Sequence, residues 1–276
     1  MTVPKIPVSK MNELNSTNSA ELVRYEIIAK YIALVTLDRP DKRNAINALL
    51  ANQLDACVKR AEADPDIRVV ILTSSSAAAF CAGADLAEVG AGNGSTLFTP
   101  DGGFGGFVNA TRRKPWIAAT QGKVVAGGLE FCLACEMIVA SEDSSFGLPE
   151  VKRSLIATEG GITRLMKAIP RAVALEMIAS GEPITAQRAY HIGLINRVVA
   201  NTEVLNSALS LAKSIAANAP LAVYEGIHVA KETMVLNDAD SSRAAKAALE
   251  RLRLSEDFKE GQRAFTEKRH PNWQGR

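Results

Sequence analysis

WIAATQGKVVAGGLEFCLACEMIVA, residues 116–140, decides the fold class. Trp116–Thr120 is a short apolar run with strand character. Gly127–Met137 starts a helix, and Ile138–Ala140 opens a second strand. Strands that short, alternating with helices, argue for an α/β protein with parallel pairing. The stretch also raises a chemical question. Glu130 stands between a Gly-Gly pair and apolar residues destined for a core, where an unpaired ionised carboxylate is costly. It must be paired, protonated or used.

The same alternation extends upstream. Residues 23–37, VRYEIIAKYIALVTL, read as two strands with a break around Ala29–Lys30. DRPDKRNAIN (38–47) supplies turn chemistry before an amphipathic helix that runs to about Ala63, where Asp64-Pro65-Asp66 breaks it. Val69–Thr73 is then a short, fully buried strand. Residues 90–106, GAGNGSTLFTPDGGFGG, lack apolar periodicity and read as a mobile surface loop, or as the lid or wall of a pocket. No strand leads into a G-x-G-x-x-G there, so this is not a dinucleotide fingerprint. Beyond residue 203 the chain reads as two long helices, 203–236 and 238–268, with Pro220 inside the first. Their alanine stripes suit packing on another subunit as well as on the same chain. No sequence repeat of fixed period is present. The division expected is a flexible polar tail (1–20), a core (21–203) and a helical oligomerisation region (204–276).

Bulk properties narrow the function. With 276 residues, 47% hydrophobic and 22% charged, the chain has material for a substantial core. A formal net charge of +2, with basic residues spread throughout, argues against nucleic-acid binding. The clusters Arg112-Arg113-Lys114 and Lys268-Arg269 read as solvated faces, or as contacts to a ligand phosphate. The chain contains no secretory start, no uninterrupted apolar run of membrane-spanning length, and only four cysteines. A soluble cytoplasmic protein with reduced thiols and no membrane association is expected. Cys132 and Cys135 form a C-x-x-C, but no second ligand pair accompanies it and its flanks read as buried helix. His191, His228 and His270 are isolated, so no metal site is expected.

Three segments carry chemistry. FCAGADL (80–86) and VAGGLE (125–130) are turns of small residues, the second leading into a helix whose first N–H groups are unsatisfied. Two such turns converging on one oxygen would form an oxyanion hole. FGLPEVK (146–152) places Glu150 twenty residues after Glu130. A post-proline glutamate is commonly an exposed turn residue. Paired with a desolvated partner, however, two carboxylates drive their pKa values apart, and one can give a proton while the other takes one.

Together these segments resemble the crotonase (enoyl-CoA hydratase/isomerase) family. DRPDKRNAIN is similar to its R-P-x-x-x-N-A-x-N signature, FCAGADL to A-G-x-D, and VVAGGLEFCLACEMIVAS to G-G-x-E-L-x-x-x-C-D-x-x-x-A. FGLPEVKRSL, AYHIGLINRVV and FTEKRHPNW fit as well, in one order from about residue 21 to 276. The resemblance implies a crotonase-like spiral of ββα turns with a C-terminal helical trimerisation region, assembled as a homotrimer or dimer of trimers. It implies chemistry on an acyl-CoA thioester through a stabilised enolate, with coenzyme A as part of the substrate and no separate cofactor. By position, the Ala82 and Gly127 amides would form the oxyanion hole. Backbone around Ala45, Ala82, Gly83, Ala84, Asp85, Leu86 and Gly128 would border the CoA, and Lys42, Arg43 or a neighbouring subunit's Lys268 would meet its phosphates.

Glu130 and Glu150 occupy the positions of the two glutamates that hold water in family hydratases. The resemblance therefore implies an enoyl-CoA hydratase of the fatty-acid β-oxidation type: Glu130 activates water and Glu150 exchanges the proton at C2. The alternatives are an enoyl-CoA isomerase, a hydratase or dehydratase for a bulky acyl group, and a non-catalytic CoA- or RNA-binding scaffold. Three departures stand out. Ala157-Thr158-Glu159 replaces a common Pro-Gly, with Glu159 either solvated or shaping acyl selectivity. Glu136 replaces an aspartate. Ala126-Gly127-Gly128 replaces a glycine triplet, a change that removes no backbone donor.

Overall fold

The structure, a computed structural model, describes residues 20–276. The expected N-terminal tail lies outside the described residues except for Ala20. Val23–Ala29 (β1) and Ile32–Leu37 (β2) form an antiparallel hairpin around Lys30-Tyr31, as the sequence break suggests. Ala48–Ala63 (α1) follows, capped by the Asn47 side chain, which accepts from the Leu50 amide at 3.0 Å.

Three successive turns then repeat one plan. Each contributes a first strand to a large sheet, a second strand to a smaller sheet, and then a helix. The pairs are Val69–Ser74 (β3) with Ala79–Cys81 (β4), then Leu86–Gly90 (α2). After a short hairpin, Phe98–Thr99 (β5) with Gly103–Phe104 (β6), come Trp116–Thr120 (β7), Lys123–Val125 (β8) and Gly127–Ala134 (α3). The third is Met137–Ser141 (β9), Ser145–Gly147 (β10), a 3-10 turn Pro149–Arg153 and Gly161–Ala168 (α4). Arg171–Ser180 (α5), Ile184–Thr185 (β11), Ala186–His191 (α6) and Arg197–Val199 (β12) complete the sheets. The large sheet has the order β1-β2-β3-β7-β9-β12, parallel from β2 onward; the small one is β11-β10-β8-β4. This is the ββα spiral, a structural repeat with no sequence repeat behind it.

Strand alternation splits the large sheet's side chains between two cores. Val35, Val70, Leu72, Trp116 and Ala118 face inward toward α1 and the small sheet. Ile32, Leu34, Val69, Ile71, Ile117 and Val139 face the opposite side and are covered by Val204–Ala216 (α7). That helix presents Val204, Ala208, Ala212 and Ala216, a four-residue spacing of small side chains that lets it lie close on the sheet. It therefore belongs to the core layer, although its sequence places it in the helical tail.

The tail also differs from the two long helices expected. It holds four: α7, Pro220–Thr233 (α8), Asp238–Arg253 (α9) and Glu256–Thr266 (α10). Pro220 starts α8 at a position where its missing N–H costs nothing, and Ser255 ends one helix and caps the next through the Phe258 amide at 3.1 Å. Two basic residues read as solvated are instead internal caps. The buried Lys114 ammonium donates to Ala61 O (2.6 Å) and Asp64 O (2.5 Å) at the end of α1. Arg112 donates to Phe107 O (2.7 Å) and Ala134 O (2.6 Å) at the end of α3. None of the described helices is long and apolar enough to cross a membrane.

Candidate active site

The site forms where the first two spiral turns meet at their small-residue bends. Gly83 adopts φ +88°, and a Cβ on it would lie 2.7 Å from Ala126 Cβ and 2.9 Å from Gly127 N. Only glycine permits this approach, so the FCAGADL and VAGGLE turns do converge. Gly128 packs as tightly, since a Cβ there would meet the Cys81 carbonyl oxygen at 2.2 Å. Its lack of a side chain serves close packing of α3 on β4.

The convergence corrects the expected donor pair. Ala82 N–H donates to Arg43 O at 3.0 Å and is committed to the fold. Gly83 N–H points at the Cys81 sulfur, 3.4 Å away. Among the described residues, Ala84 N–H has no acceptor, and neither has Gly127 N–H at the first turn of α3. The free amides are therefore those of Ala84 and Gly127. Spacing could not distinguish Ala82 from Ala84, because the choice depends on a carbonyl thirty-nine residues upstream, at Arg43.

Glu130 lies in the first turn of α3 and is 4% exposed. Its Oε1 accepts from Glu159 N–H (2.8 Å) and Gly161 N–H (2.9 Å), while Oε2 has no protein partner among the described residues. Burial pushes this carboxyl up to about 7; the Gly161 amide opposes the rise and the nearby Glu150 charge adds to it. Glu150 sits in the 3-10 turn after β10, with a buried Oε2 that has no partner among the described residues. Burial raises its pKa too, against its own backbone N–H and Arg153. The two carboxyl groups are close enough for one charge to act on the other, and Glu130 lies in the same helical turn as the free Gly127 amide. Behind Glu150 is a small apolar recess of Leu148, Val151, Ile156, Ala157, Ile162 and Ile178.

The glycine-rich stretch divides in two: Gly90, Gly92 and Gly94 face open space as a surface loop, whereas from Leu97 onward it packs as a wall. The Phe104 ring fills the space over Gly127, whose Cβ would meet it at 2.4 Å, and lies edge-on to Phe98 at 5.6 Å. Gly105 and Gly106, both with positive φ, leave no room for a Cβ against Phe131 and the Ala51 carbonyl. Ala126 is the third departure with a consequence: it adopts φ 52°, ψ −130°, a region that suits glycine.

The remaining expected residues are distributed around this centre. Lys42 and Arg43 are exposed on the turn after β2, and Ala45 is half-buried beside it. Asp85 caps α2 through the Ala87 amide at 3.1 Å, and Leu86 is exposed. Lys268 is exposed after α10, where its side chain makes no ion pair or hydrogen bond to the site among the described residues. Glu159 contributes its backbone N–H to Glu130, and its half-buried carboxylate accepts from Thr158 Oγ1 at 3.0 Å. Glu136 holds Trp116 N–H at 2.6 Å and pairs with Lys231. Cys132 and Cys135 are thiols raised by burial, the latter to about 12. Sequence reasoning missed the part played by Arg39, which bridges Asp85 and Ala45, and by buried Asn44, which donates to Phe80 O at 2.9 Å. Both stand in the DRPDKRNAIN motif, so the signal was present but its target was not.

Comparison with known proteins agrees with this architecture. The enoyl-CoA hydratase/isomerase family model matches residues 28–276. Carnitinyl-CoA dehydratase of Proteus mirabilis is 38% identical over 250 residues, covering 88% of this chain and 94% of that protein. An enoyl-CoA hydratase from Mycobacterium tuberculosis superposes with a TM-score of 0.88 at 36% identity, covering 93% of this chain and all (100%) of that one. A carnitinyl-CoA hydratase from Mycobacterium avium does so at 0.74 and 40% identity, covering 94% and 100%. With the spiral and the converging turns in place, this chain belongs to the enoyl-CoA hydratase/isomerase (crotonase) family.

Proposed function

We propose that the protein is a hydro-lyase that interconverts a 2-enoyl-CoA and water with the 3-hydroxyacyl-CoA. One observation carries this reading: Glu130 and Glu150 are both desolvated and act on one another's charge, each with an oxygen unused by the fold, and Glu130 shares a helical turn with the unpartnered Gly127 amide. In the hydration direction the thioester oxygen rests on Ala84 N–H and Gly127 N–H. Water held between the carboxyl groups adds its oxygen to C3 and gives a proton to Glu130. The enolate charge collects on the amide-bound oxygen, and Glu150 delivers a proton to C2. A base titrating near 7 is matched to neutral conditions, and Glu150, with its raised pKa, is suited to carry the proton. The acyl-CoA would lie along the turn at Lys42–Ala45 and the bend at Gly83–Leu86. A homotrimer or dimer of trimers in the cytoplasm is the expected setting.

The recess behind Glu150 holds only about 10 Å³, too little for an acyl chain, so it does not set the acyl group. A second reading is dehydration of a carnitinyl-type thioester, supported by the names of the 38% and 40% identical relatives. Turnover on crotonyl-CoA, a longer 2-enoyl-CoA and a 4-trimethylammonio-2-butenoyl-CoA, followed by loss of enoyl absorbance, separates the two. No hydration of any of them, alongside double-bond migration in a 3-enoyl-CoA, would replace both with an isomerase.

A further inference from the structure

We propose that Arg39 is the positioning residue of the oxyanion site, acting through Asp85 to hold the Ala84 N–H in line with that of Gly127; this rests on the hydro-lyase reading above. A single nitrogen, Arg39 Nη1, donates to Asp85 Oδ2 at 2.7 Å and to Ala45 O at 2.8 Å. It therefore ties the turn after β2 to the bend that carries Ala84. The two side chains are only 17% and 14% exposed, so solvent competes weakly with this pair. The base of the strut is also fixed. Arg39 N–H donates to Asn44 Oδ1 at 2.8 Å, and the Arg39 carbonyl accepts from Lys42 N–H and Asn44 N–H.

Ala84 needs such support because little else holds it. The peptides on either side of it bond to one residue: Ile46 N–H donates to Gly83 O at 2.8 Å, and Asp85 N–H donates to Ile46 O at 2.9 Å. This is an isolated bridge with no ladder to extend it. The opposing turn, 39–46, carries Arg43 and Asn44 in left-handed conformations, which persist only when the surroundings enforce them. Asp85 spends its second oxygen on the Ala87 amide, so Arg39 fixes the bend and the start of α2 together. Oxyanion donors must sit within a fraction of an ångström to favour the transition state over the ground state. Arg39 reaches the reacting atoms only through this chain of contacts.

The test uses Arg39→Met, Arg39→Lys and Asp85→Asn in the intact protein. Steady-state hydration of crotonyl-CoA is measured together with the infrared stretch of a 13C-labelled thioester carbonyl in the bound complex, and thermal unfolding checks the fold. Arg39→Met should lower kcat about 10–100-fold with KM within about threefold, and remove at least about half of the carbonyl downshift. Arg39→Lys should recover much of both, because one nitrogen makes both contacts. Asp85→Asn keeps the Ala87 cap and should fall between; it decides the matter if Arg39→Met does not fold. An undiminished downshift in the variants overturns the proposal, with or without loss of kcat. A wild-type complex with no downshift overturns the underlying oxyanion reading, and the positioning role with it.

Discussion

Glu130→Gln tests whether the buried carboxylate is kept for chemistry at a cost to the fold. Its pKa rises from 4.5 to about 7, a preference for the neutral form of about 3 kcal/mol. The sign follows from proton counting. Between these values the folded state holds the proton more tightly than the unfolded chain, so rising pH destabilises the wild type. Below about 4.5 both states are neutral and the contribution is present in full; above about 7 it has gone. Glutamine is neutral throughout, and its amide oxygen still accepts from Glu159 N–H and Gly161 N–H. The variant should therefore match the wild type near pH 4.5 and exceed it by about 1–3 kcal/mol at pH 8, the lower end reflecting weaker bonds to an uncharged acceptor. Urea unfolding of both proteins from pH 4.5 to 8.5, at fixed protein concentration, reads this difference directly. Over the same series kcat should fall by roughly 10²–10⁴-fold. A stability difference that is flat with pH, or that favours the wild type at pH 8, would refute the assignment of desolvation as the dominant cause.

Ala126→Gly should relieve a backbone conformation that disfavours alanine and stabilise the fold by about 1 kcal/mol net of glycine's greater unfolded-state freedom, read as a higher urea midpoint with hydration retained. Gly106→Ala, with φ +68° and a Cβ placed 2.2 Å from the Ala51 carbonyl oxygen, should destabilise by about 2–4 kcal/mol. A loss under about 0.5 kcal/mol would show that the glycine-rich wall moves freely. Gly83→Ala must push its bend away from Ala126 and Gly127 N, and should lower kcat about 10²-fold while KM changes less. Equal kcat in this variant would separate catalysis from the convergence of the two turns.

Much of this protein was written locally. The alternation of short apolar strands with helices sufficed for an α/β class, and the hairpin at Lys30-Tyr31, α1 and β3 lie where turn chemistry and periodicity put them. Glu130 stands out because a carboxylate amid apolar residues is a local anomaly with a free-energy cost, whereas Glu150, in a post-proline turn, draws interest only as its candidate partner. Properties that depend on distant partners were not legible. Pro220 reads as an interruption until a helix is seen to start on it, and Lys114 as a surface charge until the end of α1 closes over its ammonium. The glycine-rich stretch has no periodicity of its own, because its order comes from Phe131 and from the Ala51 carbonyl against its backbone. Within the site, the residue types around Gly83 and Gly127 follow from sequence, but which amide stays free does not. That is decided by Arg43, whose carbonyl takes the Ala82 N–H, and by Ile46, which leaves Ala84 unpaired between its two bonds. A hydrogen bond has two ends, and sequence read along the chain supplies only one of them.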